Sequence, residues 1–426
     1  MTGTGRDEPE LRLPFPDAFA VDPSPTWAEL RRDAPVRRVR TVAGDEVWLV
    51  TRYDDVRVVL ADPRFSRALV VRPGAPRTAV AAPRAGSITA ADPPEHTRLR
   101  RLVAGSFTQR RMREFQPWIG ALTHRLADDV AAVEGPVDLR RLFALPLPIT
   151  VICHLLGVPA EDQPRFARWS EVVYSMDMAE KDEVERSYDA LDAYVTALVA
   201  ERRSALLAGR APSGALLDEL VLARDQQDRL SEAELVSLVL TLLVAGHETT
   251  ANQIGSFLIT LLRDPTRWER LVAEPDLIPD AVEELLRFNR LGETGQYRVA
   301  AEDVVLAGVR IRAGDGVIAA IGSANRDEAV FDSPDSLDFG RGGGNPHLAF
   351  GHGIHHCLGA ALARVELREA LRTLTTRFPR LRLAVPVGEL RWRRVLISGV
   401  AELPVRTGSP TPPPAITARW PGRTLR

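Results

Sequence analysis

The sequence predicts a mainly α-helical fold with a small β part. Long stretches at residues 95–130, 159–169, 181–207 and 232–263 carry helical patterns. The β-like runs are few and short, at 304–311 and 317–321. The series Leu235, Val236, Leu238, Val239, Leu240, Leu242, Leu243, Val244 leaves no polar face, as expected of a helix buried through a core.

In chain order, Glu46-Val-Trp-Leu-Val-Thr51 reads as a strand and residues 53–60 as a short helix. Residues 67–91 are rich in Pro, Ala and Gly and hold no period; loops of that length are usually functional or disordered. Cys153, within Ile149-Thr-Val-Ile-Cys-His-Leu-Leu156, sits in an apolar helix and reads as core packing. Hairpins are expected near 381–385 and 395–403. Beyond Pro404, the prolines at 410, 412, 413 and 414 predict a loose tail.

The 426 residues are 45% apolar and 26% charged with a formal net charge of −2, which excludes a disordered chain and a global pull toward nucleic acid or anionic membrane. Lys181 is the only lysine, a bias that fits a GC-rich genome better than a binding function. Two cysteines, Cys153 and Cys357, make no disulfide framework and fit a reducing cytosol. Residues 1–13 are polar and acidic without a signal core, and the apolar stretch 235–245 is too short to span a bilayer. A cytoplasmic protein is the expectation.

Within the apolar helix, Gly246-His-Glu-Thr-Thr250 introduces polar groups that need partners or a cavity, since burying them unsatisfied is costly. A helix end emerging into solvent is the alternative at this point, though a polar break in a central helix points more to a site. Phe350-Gly-His-Gly-Ile-His-His-Cys357-Leu-Gly359 is the strongest signal in the chain. Its glycines permit tight turns and close approach by a flat ligand. Cys357 precedes an amphipathic helix at 358–378, where free N–H groups and the dipole favour thiolate. A structural cysteine in a glycine-rich turn stays open on residue chemistry alone. Zinc at the four histidines between 347 and 356 is disfavoured, because no carboxylate or second cysteine has suitable spacing.

The run 350–359 resembles the haem-binding signature of cytochromes P-450, Phe-x-x-Gly-x-x-x-Cys-x-Gly, at every fixed position. Further segments resemble that family in the right order: Pro94-Glu-His96-Thr-Arg-Leu-Arg100, Ala245-Gly-x-Glu248-Thr249, Glu284-Leu-Leu-Arg287 and Asn325-Arg326-Asp327. The resemblance covers about residues 17–405. It implies one domain, a triangular helical prism with a small β region, in place of the two or three domains that length alone suggests. Residues 1–16 would be an N-terminal segment and 406–426 a flexible tail.

By that resemblance Cys357 is the axial ligand of haem b iron, and Ala245, Phe350 and Gly359 contact the haem. His96, Arg100, Arg298 and His355 meet its propionates. Glu248 and Thr249 deliver protons during oxygen activation, the carboxylate relaying and the hydroxyl holding water. Glu284 and Arg287, three apart and so on one helix face, form a structural ion pair. Many relatives complete the pair with an arginine where this chain has Ser336, and Arg341 is the expected substitute. Leu242, Ala245, Leu291, Leu396 and Ile397 are the candidate substrate contacts, with loops near 69–90 and 168–185.

The implied activity is hydroxylation or epoxidation of a bulky polyketide, macrolide or similar natural product by a monomeric monooxygenase. No Gly-x-Gly-x-x-Gly or phosphate loop is present, so electrons would come from NAD(P)H through a separate reductase and ferredoxin. Arg100, Arg101, Arg110, Arg111, Arg113, Arg364 and Arg368 flank the haem motifs and would steer an acidic ferredoxin. Peroxide-driven oxidation or oxidative coupling, and a non-catalytic haem sensor or carrier, are the alternatives. The intact Glu248–Thr249 pair weighs against both.

Overall fold

A computed structural model describes residues 10–15, 21–78, 86–174, 176, 180–225, 229–292, 294–341, 346–397 and 399–412. Most of the predicted tail and the N-terminal segment therefore lie outside the described residues.

The helices, in order, are α1 (Thr26–Asp33), α2 (Tyr53–Ala61), α3 (Glu95–Ala104), α4 (Gln109–Ala131), α5 (Pro146–Leu156), α6 (Gln163–Val173), α7 (Lys181–Leu207), α8 (Leu216–Asp225), α9 (Glu232–Leu262), α10 (Pro265–Ala273), α11 (Ile278–Phe288), α12 (Ile321–Ala324) and α13 (Ala360–Arg377). The strands are β1 (Val36–Arg40), β2 (Glu46–Val50), β3 (Phe65–Ser66), β4 (Val137–Asp138), β5 (Gln296–Ala300), β6 (Val304–Leu306), β7 (Val309–Ile311), β8 (Gly316–Ala319), β9 (Arg382–Leu383) and β10 (Pro404–Arg406).

α9 organises the helical body. It starts on a capping box, in which Ser231 Oγ accepts from the Glu234 N–H and the Glu234 carboxylate accepts from the Ser231 N–H. It then runs 31 residues, about 46 Å at helical rise. The 235–245 stretch understated this element: by length and composition α9 could cross a membrane, but more than half of its most apolar window is buried inside the protein. Helix α5 lies so close that a Cβ at Gly246 would meet Ile152 Cγ1 at 2.8 Å. The polar group at 246–250 does not end the helix. His247, Glu248 and Thr250 are buried within it, which removes the solvent-exposed reading.

The single pattern expected over 95–130 divides at a 3-10 turn, Gly105–Phe107. Thr108 then restarts the chain as a helix by accepting from the Arg111 N–H. The main sheet has the order β1-β2-β8-β5-β3, with only the β2–β8 pair parallel. Residues 304–311 form the hairpin β6–β7. The local hairpin expected at 381–385 is instead a strand, β9, that pairs with distant β10, which also pairs with β4. Register there is set by a long-range edge, which no local pattern encodes. Residues past Pro404 are held further than expected: Arg377 N–H donates through Nε to the Thr411 carbonyl, and the Thr411 N–H donates to the Arg377 carbonyl.

Candidate active site

Cys357 follows the 3-10 turn Gly353–His355, and its N–H donates to the Phe350 carbonyl at 2.8 Å. Gly351 and Gly353 take φ of 74° and 72°, values that disfavour any side chain. Gly359 needs no such freedom; it leaves room beside the sulfur, since a Cβ there would lie 4.0 Å from Cys357 Sγ. Cys357 is accessible, yet enough protein surrounds it that burial pushes its thiol above the ordinary range. Both statements hold for a side chain facing a cavity inside the protein. The expectation that the helix starts directly after Cys357 needs correction. The Gly359 N–H, Arg100 and Arg364 pull toward thiolate, but burial outweighs them, and α13 begins only at Ala360. A cation at the sulfur would reverse that balance, because a coordinating thiol is deprotonated outright.

Around this cavity the fold gathers arginine and histidine side chains. His96 and Arg100 come from α3, Arg298 from β5, and His355 from the turn before Cys357. The His96 and His355 rings lie 4.2 Å apart. Arg67, which the sequence did not single out, joins them: Arg67 Nη1 and Arg298 Nη1 both donate to the Tyr297 carbonyl, at 2.8 and 2.9 Å. Burial lowers Arg298 to about 9, with Arg67 adding repulsion, and lowers Arg67 to about 10. Burial, helped by Arg298, His96, Arg67 and Arg100, drives His355 down to about 3. The carboxylate facing this group, Asp92, is already engaged by Ser66 Oγ and the Arg67 N–H. His355 Nε2 is buried without a partner. A nest of arginines and uncharged imidazoles with an unused ring nitrogen is what two propionates would satisfy. The residues present fit haem.

On α9, Thr249 Oγ1 donates to the Ala245 carbonyl at 3.0 Å, and Ala245 itself is exposed within the fold. Glu248 is fully buried. Its Oε1 accepts from Arg393 Nη1 at 2.6 Å and from Asn252 Nδ2 at 3.1 Å, while Oε2 has no partner. Burial opposes its charge, but Arg393, with His247 and Arg140, holds the carboxyl below its usual range. Arg393 carries no helical or motif signal and was invisible in the sequence.

Two of the candidate substrate contacts lie on the same helix, and two others are linked to elements near it. Leu242 and Ala245 lie on α9, and Ser87 meets Thr241 at 3.2 Å, bringing in the end of the 67–91 loop. Ile397 forms an isolated bridge with Gly292, next to Leu291. The Leu396 N–H donates to the Tyr174 carbonyl at 2.8 Å, and the Tyr174 hydroxyl donates to Val244 O at 3.5 Å. Among the described residues no cluster of metal-ligating side chains occurs. A surface cleft of about 500 Å³ lined by Asp22, Trp27, Arg290, Arg326 and Asp335 meets this site only at Gly292.

Beneath the cysteine turn lie two ion-pair networks. Glu284 and Arg287 are buried at about 1% exposure and bonded twice, at 2.7 and 2.8 Å. Arg287 also donates to the carbonyls of Asn325, Pro334 and Ser336, and Arg341 Nε reaches Glu284 at 3.2 Å. Arg341 thus completes the group where Ser336 has no cationic side chain.

Neighbouring Glu283 binds Arg364, Arg368 and His347. Burial opposes its charge, yet His347 and Arg364 hold it at about 2. A carboxyl depressed in the folded state stabilises above its unfolded value and loses that contribution as pH falls through the folded one. Glu283→Gln is therefore expected to remove at most roughly 3 kcal/mol at neutral pH and to flatten acid unfolding between about pH 4.5 and 2. Denaturant midpoints measured across that range check it; parallel curves for the two proteins contradict it.

The comparisons agree with this geometry. A model of the family "Cytochrome P450" matches residues 170–381. Nocardicin C N-oxygenase of Nocardia uniformis subsp. tsuyamanensis is 48% identical, covering 92% of this chain and 97% of that protein. Mycinamicin IV hydroxylase/epoxidase of Micromonospora griseorubida is 46% identical, covering 92% and 97%. A crystal structure of HinD with NMFT and NO superposes with a TM-score of 0.88 at 47% identity, covering 93% of this chain and 99% of that one. Sequence, fold and charge arrangement lead to one conclusion: the chain belongs to the cytochrome P450 family and is a haem-thiolate monooxygenase.

Proposed function

We propose that this monooxygenase hydroxylates or epoxidises a bulky, largely apolar natural product, with Cys357 as axial ligand and electrons supplied by a separate ferredoxin and its NAD(P)H-dependent reductase. The observation that carries the site assignment is the pairing of a cavity-facing thiol with a nest of arginines and a buried, unpartnered imidazole. Bound haem supplies dioxygen activation, and thiolate donation favours O–O cleavage.

The chain's own residues do the rest. Arg67, Arg100, Arg298, His96 and His355 hold the propionates. Thr249 spends its proton on the Ala245 carbonyl, so its oxygen is left to accept from a water. Glu248, ionised and buried, exchanges protons with that water. Leu242, Ala245, Leu291, Leu396 and Ile397 present an apolar wall that would exclude further water and orient the substrate. Arg101, Arg110 and Arg113 are exposed and suit an acidic ferredoxin, whereas Arg364 and Arg368 are already committed to Glu283.

The relative named for mycinamicin IV hydroxylation and epoxidation supports a macrolide-like substrate, and the N-oxygenase widens the candidate chemistry to nitrogen. A spin-state screen starting from mycinamicin IV and nocardicin C tests the substrate class; only small polar compounds shifting the spectrum would contradict it. Thr249→Ala is expected to keep haem while sending most electrons to hydrogen peroxide or water, with a coupling loss of about tenfold or more. Peroxide formed per NADH measures this, and wild-type coupling would remove the role given to Thr249.

A further inference from the structure

The segment carrying Leu396 and Ile397 folds back on itself. Arg393 N–H donates to the Gly399 carbonyl at 2.9 Å, Ala401 N–H donates to Arg391 at 2.7 Å, and Trp392 bridges Val400. This hairpin touches α9 at two points one helical turn apart. Arg393 binds Glu248, and Gly399 backs onto Asn252, where a Cβ would come within 2.0 Å of Asn252 Oδ1. Asn252 in turn binds Glu248. At its tip the hairpin is fastened to the end of α6, through Leu396 N–H to Tyr174 O and Met176 N–H to Arg394 O.

Arg393 also has a second carboxylate within reach. Its Nη1 lies 3.9 Å from Glu171 Oε1, and its Nη2 donates to the Glu171 carbonyl at 3.4 Å. Arg140 Nη2 binds Glu171 at 2.7 Å and stands 3.8 Å from Glu248. Two arginines are thus shared between a fully buried carboxylate and one whose side chain is 36% exposed. The charged and titratable groups around Glu248 are Arg393 from the hairpin, Arg140 from the segment after β4, Glu171 and Tyr174 from the end of α6, and His247 from its own helix.

We propose that Arg393 is a positioning residue for proton delivery, through which the hairpin couples pressure on Leu396 and Ile397 to the charge of Glu248. The proposal rests on the reading of Glu248 as the proton-relaying acid. A substrate pressing on the tip moves Arg393 along the short path from Glu248 toward Glu171. Burial is then less opposed, and Glu248 takes up a proton. Return of the guanidinium expels it. Glu171, at the surface, is the solvent end of the exchange.

The test uses the haem-loaded full chain with carbon monoxide as probe. The C–O stretch of the reduced wild-type adduct is expected to be flat from roughly pH 5.5 to 8.5, because Glu248 stays ionised there. Arg393→Met is expected to bring a one-proton titration into that window. Arg393→Lys should restore the flat profile, and Glu248→Gln added to Arg393→Met should abolish the titration. Leu396→Trp, which crowds the tip as a substrate would, is expected to produce part of the same titration with Arg393 intact. NADH oxidation with added ferredoxin and reductase should fall about tenfold in Arg393→Met, less than the roughly 10²–10⁴ that general acid–base catalysis contributes, because Arg393 acts only through Glu248.

A flat profile and unchanged NADH oxidation in Arg393→Met would overturn the role of Arg393. Titration in Arg393→Met but none in Leu396→Trp would overturn the coupling to the tip. If Glu248→Gln alone moves neither the C–O stretch nor NADH oxidation, the acid reading beneath the proposal is what has failed.

Discussion

Cys357→Ala is expected to abolish the red-shifted carbon-monoxide band of the reduced protein completely. The only other thiol cannot take over: Cys153 is fully buried in α5, and burial pushes it up to about 12. Cys153→Ala should accordingly leave the band intact. Of Arg67, Arg100, Arg298, His96 and His355, only Arg100 acts on the sulfur, so some haem should still bind Cys357→Ala through its propionates. Its carbon-monoxide band would lie at shorter wavelength, as befits a ligand other than thiolate. The difference spectrum of reduced protein with and without carbon monoxide decides this. A wild-type band in Cys357→Ala would sink the ligand assignment.

The second large effect is expected at Glu284. Its carboxylate takes two bonds from Arg287, one from the Asp338 N–H and contact from Arg341. Glu284→Ala leaves the Arg287 guanidinium buried and short of its counter-ion. Breaking one side of a buried pair costs about 3–5 kcal/mol, a large part of the roughly 5–15 kcal/mol that keeps a domain folded. Arg287 also holds the carbonyls at 325, 334 and 336, so loss of its orientation loosens the segment leading to the cysteine turn. Most of the protein should therefore be recovered without haem and with a lowered denaturant midpoint. Glu284→Gln, which keeps an acceptor for the Asp338 N–H, should fall between. Normal haem loading in Glu284→Ala would rule out this structural role.

Both effects concern residues that were visible in the sequence, because each lies inside a short spaced motif. The partners that complete them were less visible. Arg341 was reachable only as a guess five residues from Ser336, since its approach to Glu284 depends on the turn at 338–341. Arg67 lay at the start of a loop without periodicity, and it becomes part of the nest of arginines only because β3 pairs with β5 and places it beside Arg298. The tail beyond Pro404 read as loose from its prolines, although β10 and Arg377 hold it through residue 411.

Local chemistry is written in order along the chain. Helical period, the glycine-rich turn before Cys357, the Glu248–Thr249 pair inside an apolar helix and the three-residue spacing of Glu284 and Arg287 all act over a few residues, so the sequence alone determined the mainly α fold and marked the candidate chemistry-bearing residues. Charge balance acts through space. Whether Glu248 is ionised depends on Arg393, 145 residues away, and whether His355 is neutral depends on its burial first and then on arginines from three other segments. Burial strengthens such interactions and makes them indifferent to sequence distance. Only the tertiary structure could decide which carboxyls and imidazoles carry charge.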